Sequence, residues 1–106
     1  MSGSTPALSV GRGVIVEMAR LAALEVPGVL RVARGGPVWL AFFRGTPVRV
    51  RVRRDGVAVR LWVIARPGSN LPGVSRQVRT VVAAAVERLL GLELRSVTVV
   101  IDGIGG

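Results

Sequence analysis

The chain has no cysteine, histidine or tyrosine, and all 15 of its cationic side chains are arginine, so lysine is missing too. These absences together remove disulfides, thiolate nucleophiles, imidazole bases, Schiff-base chemistry and the soft ligands of zinc sites. Carboxylates and hydroxyls are what remains for catalysis. The six acids, Glu17, Glu25, Asp55, Glu87, Glu93 and Asp102, are scattered over helices, a turn and the flanks of the last strand. That scatter suits solvated charges and caps, whereas acid/base hydrolysis needs two carboxylates held close together. No enzyme, cofactor or metal site is expected. Long apolar runs are missing as well: no stretch approaches the roughly 18 residues that a bilayer span requires, and "MSGSTPA" at the start has neither the basic nor the apolar region of an export signal. Lack of cysteine fits a reducing compartment, so a cytoplasmic location is expected.

What is present begins with size and charge. A chain of 106 residues, half of them hydrophobic, suits one domain with one core. Residues 1–10 read as a flexible tail with a short strand, and residues 11–104 as the domain. The 15 cations exceed the six acids by nine, so at least nine arginines have no acidic partner within the chain. Guanidinium groups are permanently charged forks that match phosphate and carboxylate oxygens. GC-rich codon usage is the plain alternative source of so many arginines.

"GVIVEMARLAALEV", residues 13–26, reads as a helix with Val14, Ile15, Met18 and Ala22 on one arc, stopped by Pro27 and Gly28. "VLRVAR" reads as a strand. A Gly35-Gly36-Pro37 loop then leads to the apolar island "VWLAFF", which holds Trp39, Phe42 and Phe43, three of the four aromatic residues. If that island is exposed, it is a docking patch for a partner or a membrane interface; burial in the core is the alternative. From Pro47 to Ala65 valine alternates with arginine around Asp55-Gly56, a favoured hairpin turn. With those two residues as the turn, Val52 pairs with Val59, Val50 with Leu61 and Val48 with Val63. The other face then carries Arg53 opposite Ala58, Arg51 opposite Arg60 and Arg49 opposite Trp62. One side is apolar and the other cationic, the pattern of an antiparallel sheet with one face on a core.

"GSNLPG" precedes a long helix, with Gly68, Ser69 and Asn70 as loop and cap residues and Gly91 as its stop. Val74, Val78, Val81, Val82, Ala85 and Leu89 line its inner arc, while Leu90 points outward. "SVTVVID" is a last strand with Val97, Val99 and Ile101 inward. The fold class is therefore α+β, a two-layer sandwich of a small, mostly antiparallel sheet with two helices packed on one face.

"GVIVEMARLAALEVPGV", "GSNLPGVSRQVRTVVAAAVERLLGL" and "VTVVIDGI" stand in an order and spacing that resembles the alkaline shock protein family, the bacterial envelope stress response proteins, over Gly13 to Ile104. Pro67, Leu90 and Thr98 stand where that family usually has Tyr, Thr and Asn. The resemblance implies a non-enzymatic cytoplasmic scaffold in cell-envelope homeostasis, held near the inner membrane face by a small membrane-embedded protein partner.

The residues themselves nominate Arg49, Arg51, Arg53, Arg60 and Trp62 as an anion-binding or partner-binding face. Like charges placed directly opposite across a sheet repel by roughly 0.2–1 kcal/mol, which favours an external anion over a merely solvated surface. An acidic protein partner and the anionic membrane surface both fit. Nucleic acid is the second reading, since Trp62 can stack on a base, but single-strand platforms usually present several rings. A homo-oligomer is also open, through Val16, Leu24 and Leu90.

Overall fold

In the computed structural model, which describes residues 11–40 and 45–105, the first helix, α1, spans Arg12–Leu24 and buries Ile15, Ala19, Ala22 and Ala23. These positions recur at three- and four-residue spacing and form one stripe. Val14, expected inward, is 51% exposed. At about 100° per residue Ala22 and Ala23 straddle the middle of the buried stripe, whereas Val14 falls beyond its edge on the far side of Ile15. Strand β1 covers Val29–Val32, and a short 3-10 turn covers Val38–Leu40. Strands β2, Val48–Arg53, and β3, Gly56–Ala65, form the hairpin. Helix α2 runs Leu71–Leu90, and β4 runs Ser96–Ile104.

β3 is the axis of the sheet. β4 lies parallel to it along one edge, from Ala58↔Ser96 to Ala65↔Ile104, while β2 and β1 pair with it antiparallel. β2 covers the first part of β3 and β1 the last part, and Trp62 marks the handover: its N–H donates to the Pro47 carbonyl and its carbonyl accepts from the Ala33 N–H. In an antiparallel ladder both backbone groups of a residue point to the same neighbour. Hence β2 and β1 sit end to end on one edge of β3.

Ile15, Ala19, Ala22 and Ala23 of α1, the α2 stripe, and Val48, Val50, Val57, Val59, Leu61 and Val63 of the sheet form one continuous core. Val97, Val99 and Ile101 of β4 pack against it. The two-layer α+β architecture is therefore as expected, with both helices on the valine face. Leu90, like Val14, departs from the expectation: it is fully buried instead of outward, so it offers nothing to a second subunit.

The hairpin register differs from the expected one. Val48 pairs with Leu61, Arg49 with Arg60, Val50 with Val59 and Arg51 with Ala58, and the two turn residues are Arg54 and Asp55. A two-residue type I′ turn at Asp55-Gly56 would need positive φ at both residues. Among the described residues only glycines have positive φ; Gly56 does, at 139°, but as the first residue of β3 rather than as part of the turn. The slip is by two residues, so the faces are unchanged. Gly56→Ala is expected to cost roughly 1–3 kcal/mol in urea unfolding, because that backbone geometry is strained for any side chain. A Cβ there would also stand 3.1 Å from the Arg95 Cβ.

Candidate functional site: an arginine face on the open side of the sheet

Alternation along β3 sends Ala58, Arg60, Trp62 and Ile64 to the side away from the helices. Among the described residues, cover on this open face lies at one end. Trp62 and Ile64 are buried, although neither belongs to the helix-facing core. The chain leaving β1 folds over them: the Arg34 guanidinium carbon lies 4.0 Å from the Trp62 ring centroid. The Gly35 N–H donates to Asp102 Oδ2 at 2.6 Å, and Arg34 Nε stands 3.9 Å from the same carboxylate oxygen. Gly35 permits this contact because a Cβ would lie 2.0 Å from the Asp102 carbonyl oxygen. Gly103 and Gly105 approach Ile64, and Leu30 lies against Gly105.

The described residues leave the hairpin end open. Arg49, Arg51, Arg53 and Arg60 are all exposed there, with the Ser96 and Thr98 side chains of β4 alongside. Register sets them in rows across the strands. Arg49, Arg60 and Thr98 form one row, and Arg51, Ala58 and Ser96 the next. Between the rows lies a concavity of about 190 Å³ lined by Arg49, Arg51, Ala58, Val59, Arg60, Ser96 and Thr98. Its floor is low because Ala58 has only a methyl group between two longer neighbours. A second depression next to it is lined by Arg51, Arg53, Asp55, Gly56, Ala58 and Arg95.

The structure thus brings together Arg49, Arg51, Arg53 and Arg60, the nominated arginines, and treats Trp62 differently. The ring is 8% exposed, with Arg34 over it and the Arg49 guanidinium carbon 5.5 Å from its centroid. It orients arginines from beneath and does not present a surface to a base. Arg49 lies opposite Arg60 rather than Trp62, so the like-charge pair that register creates is Arg49/Arg60, not Arg51/Arg60. Among the described residues no ion pair involves Arg51, Arg53 or Arg60; the pairs formed are Arg20 with Glu17, Arg34 with Asp102 and Arg95 with Asp55. The first is a surface pair within α1, where the hydrogen bond from Arg20 holds the Glu17 carboxyl below the usual carboxylate range. Ser96 and Thr98 were not nominated by sequence. Their positions beside Arg60 and Ala58 depend on β4 pairing with β3 in parallel, which no local pattern shows.

The remaining nominated residues fall into two groups. Trp39 is 62% exposed, whereas Phe42 and Phe43 lie outside the described residues, as does the N-terminal tail, residues 1–10. In the loop before α2, Asn70 is the capping residue: its side-chain oxygen accepts from the Gly73 N–H at 3.2 Å, a contact of about 1 kcal/mol. Gly68 and Gly91 both have left-handed backbone, and Gly91 closes α2 through a 2.8 Å hydrogen bond to the Glu87 carbonyl. The Ser69 N–H donates to the Arg66 carbonyl at 3.3 Å. These four positions shape the helix ends.

Comparison with known proteins agrees with this geometry at the level of fold. The chain is similar to the manganese form of a MamM CTD variant, with 18% identity over 88% of this chain and 99% of that one and a TM-score of 0.56. It is likewise similar to the copper form of another variant, with 17% identity over 90% of this chain and 100% of that one and a TM-score of 0.58. At such identity the likeness concerns the fold alone. Among the described residues no group of three or more His, Cys, Asp or Glu is placed to hold a metal ion. No curated protein sequence matches the chain. A family model described by a cell envelope-related function matches residues 2–105. With nearly its whole length matched, the chain belongs to the alkaline shock protein family, whose function is cell envelope-related.

Proposed function

We propose that the protein is a non-enzymatic cytoplasmic scaffold of the cell envelope whose open sheet face attaches it to the anionic inner surface of the membrane. The observation that carries this reading is the exposed arginine cluster on the face the helices do not use, in which Arg51, Arg53 and Arg60 form no ion pair among the described residues. A basic residue near an anionic bilayer contributes about 1 kcal/mol, so four arginines supply roughly 4 kcal/mol, a reversible attachment. A second contact strengthens it. Trp39 is a fitting one, being exposed and only four residues beyond Gly35, which is anchored to the open face by Asp102. Indole rings settle at the boundary between headgroups and acyl chains.

No helix of the described residues is long and apolar enough to cross a membrane. Burial of Trp62 weighs against the nucleic-acid reading, because a single-strand platform needs a ring that bases can reach. The test is co-sedimentation with vesicles containing phosphatidylglycerol and with neutral phosphatidylcholine vesicles. Binding is expected to the anionic vesicles alone, with a blue shift of Trp39 emission, and should be lost near 0.5 M salt, where screening is short-ranged. Equal binding to neutral vesicles, or none to anionic ones, would contradict it. Saturable binding of a single-stranded oligonucleotide without vesicle binding would put nucleic acid first, and binding only when a membrane-embedded protein is supplied would make that protein the anchor.

A further inference from the structure

The two depressions on the open face differ in a way that decides between them. The one near the turn contains Asp55, which pairs with Arg95 and cancels part of the local positive charge. The other has no carboxylate in its lining: Arg49, Arg51 and Arg60 surround it on one side, and the Ser96 and Thr98 side chains close it on the other. Cations on three corners and neutral hydroxyl donors on the fourth make a site for an oxyanion with several unesterified oxygens. Arginine forks bind such oxygens in pairs, and hydroxyl groups donate to whatever oxygen the forks leave.

The number of free oxygens discriminates among anions. A carboxylate or a phosphodiester offers two charged oxygens and a single negative charge. A phosphomonoester offers three oxygens and about −1.5 to −2 charges near neutrality. Three guanidinium groups and two hydroxyls are in excess for the first and matched to the second. The Arg49/Arg60 juxtaposition points the same way, since two facing cations attract a dianion placed between them more strongly than a monoanion.

Building on the membrane-surface reading above, we propose that the concavity formed by Arg49, Arg51, Arg60, Ser96 and Thr98 is a subsite for the terminal phosphate of a phosphomonoester lipid headgroup. Arg51 and Arg60 carry most of the charge, Arg49 is positioned by the Trp62 ring, and the hydroxyls of Ser96 and Thr98 complete the shell. The site recognises the headgroup and leaves the acyl chains in the bilayer.

The test compares phosphatidylcholine vesicles doped with phosphatidic acid or with phosphatidylglycerol, matched for surface charge by zeta potential. The chain is expected to bind the phosphatidic acid vesicles roughly tenfold tighter, the scale of one further hydrogen bond to a charged group. The paired substitutions Ser96→Ala and Thr98→Val keep the net charge, and that variant should bind the two vesicles alike while its circular dichroism and unfolding midpoint stay near those of the parent. Glycerol 3-phosphate at millimolar concentration should return parent binding of phosphatidic acid vesicles to the phosphatidylglycerol level. Equal parent binding to both vesicles at matched charge overturns the subsite and leaves the membrane reading standing. Binding to neither vesicle overturns both. Saturable binding of glycerol 3-phosphate in solution, with no preference between vesicles, overturns the lipid as the source of the phosphate.

Discussion

Replacing Arg51, Arg53 and Arg60 together with serine is expected to weaken binding to phosphatidylglycerol vesicles by roughly 150-fold, from about 1 kcal/mol for each arginine at an anionic surface. Arg49 is left in place because it lies by the Trp62 ring and has a packing role. The same variant should unfold at an unchanged or higher urea concentration. Its three side chains are exposed, and removing Arg60 relieves the repulsion from Arg49 directly across the strand, a gain of roughly 0.2–1 kcal/mol. Loss of binding with retained stability separates a surface that meets something outside the chain from one that holds the fold together. A variant that no longer folds would mean that these arginines are structural.

The opposite combination is expected at the centre of β3. Leu61 is completely buried, pairs with Val48 on one side and Val99 on the other, and faces the helices. Leu61→Ala removes three carbon atoms from a close-packed core flanked on both sides by backbone-paired strands, where collapse around the gap is restricted. A loss of about 2–5 kcal/mol is expected. In a domain near 100 residues each kcal/mol lowers the midpoint by roughly 4–8 °C, so thermal unfolding should fall by tens of degrees, if the variant folds at all. A shift of only a degree or two would show that the valine face does not carry the core.

The two faces of the hairpin were legible because the alternation of valine with arginine has the period of a strand and runs through both arms. The register was not. A slip of two residues leaves each side chain on its own face, so the hydrophobic pattern is silent about it, and the choice is made by which residue can adopt positive φ. Asp55-Gly56 looks like a turn by composition; in the folded chain Gly56 takes the unusual conformation one step later, and Arg54 with Asp55 makes the bend. In α2 the expectation erred for a similar geometric reason. Its buried line runs Val74, Val78, Val82, Val86, Leu90, a pure four-residue row. Such a row is inclined to the helix axis and drifts around it, so a straight stripe placed Leu90 outside when it is at the centre of the core.

The candidate site was legible in part. The four arginines follow from local pattern, but the cover over Trp62 depends on Gly35 meeting Asp102 across 67 positions of sequence. The hydroxyls of Ser96 and Thr98 depend on a parallel pairing reached only after a 20-residue helix. Neither leaves a periodic mark, and Asp102 reads as a solvated strand end until its partner is seen. For the same reason Trp62 read as a ring on a wet face, while half of that face is dry.

The most direct test of the arginine face as the membrane-facing surface is amide NMR of the chain on anionic bicelles carrying a paramagnetic lipid. Line broadening is expected at Arg49, Arg51, Arg53, Arg60, Ser96 and Thr98 and around Trp39, with the exposed sides of α1 and α2 unaffected. Broadening centred on Val14, Leu21 and Leu24 of α1, with the open sheet face sharp, would contradict the account.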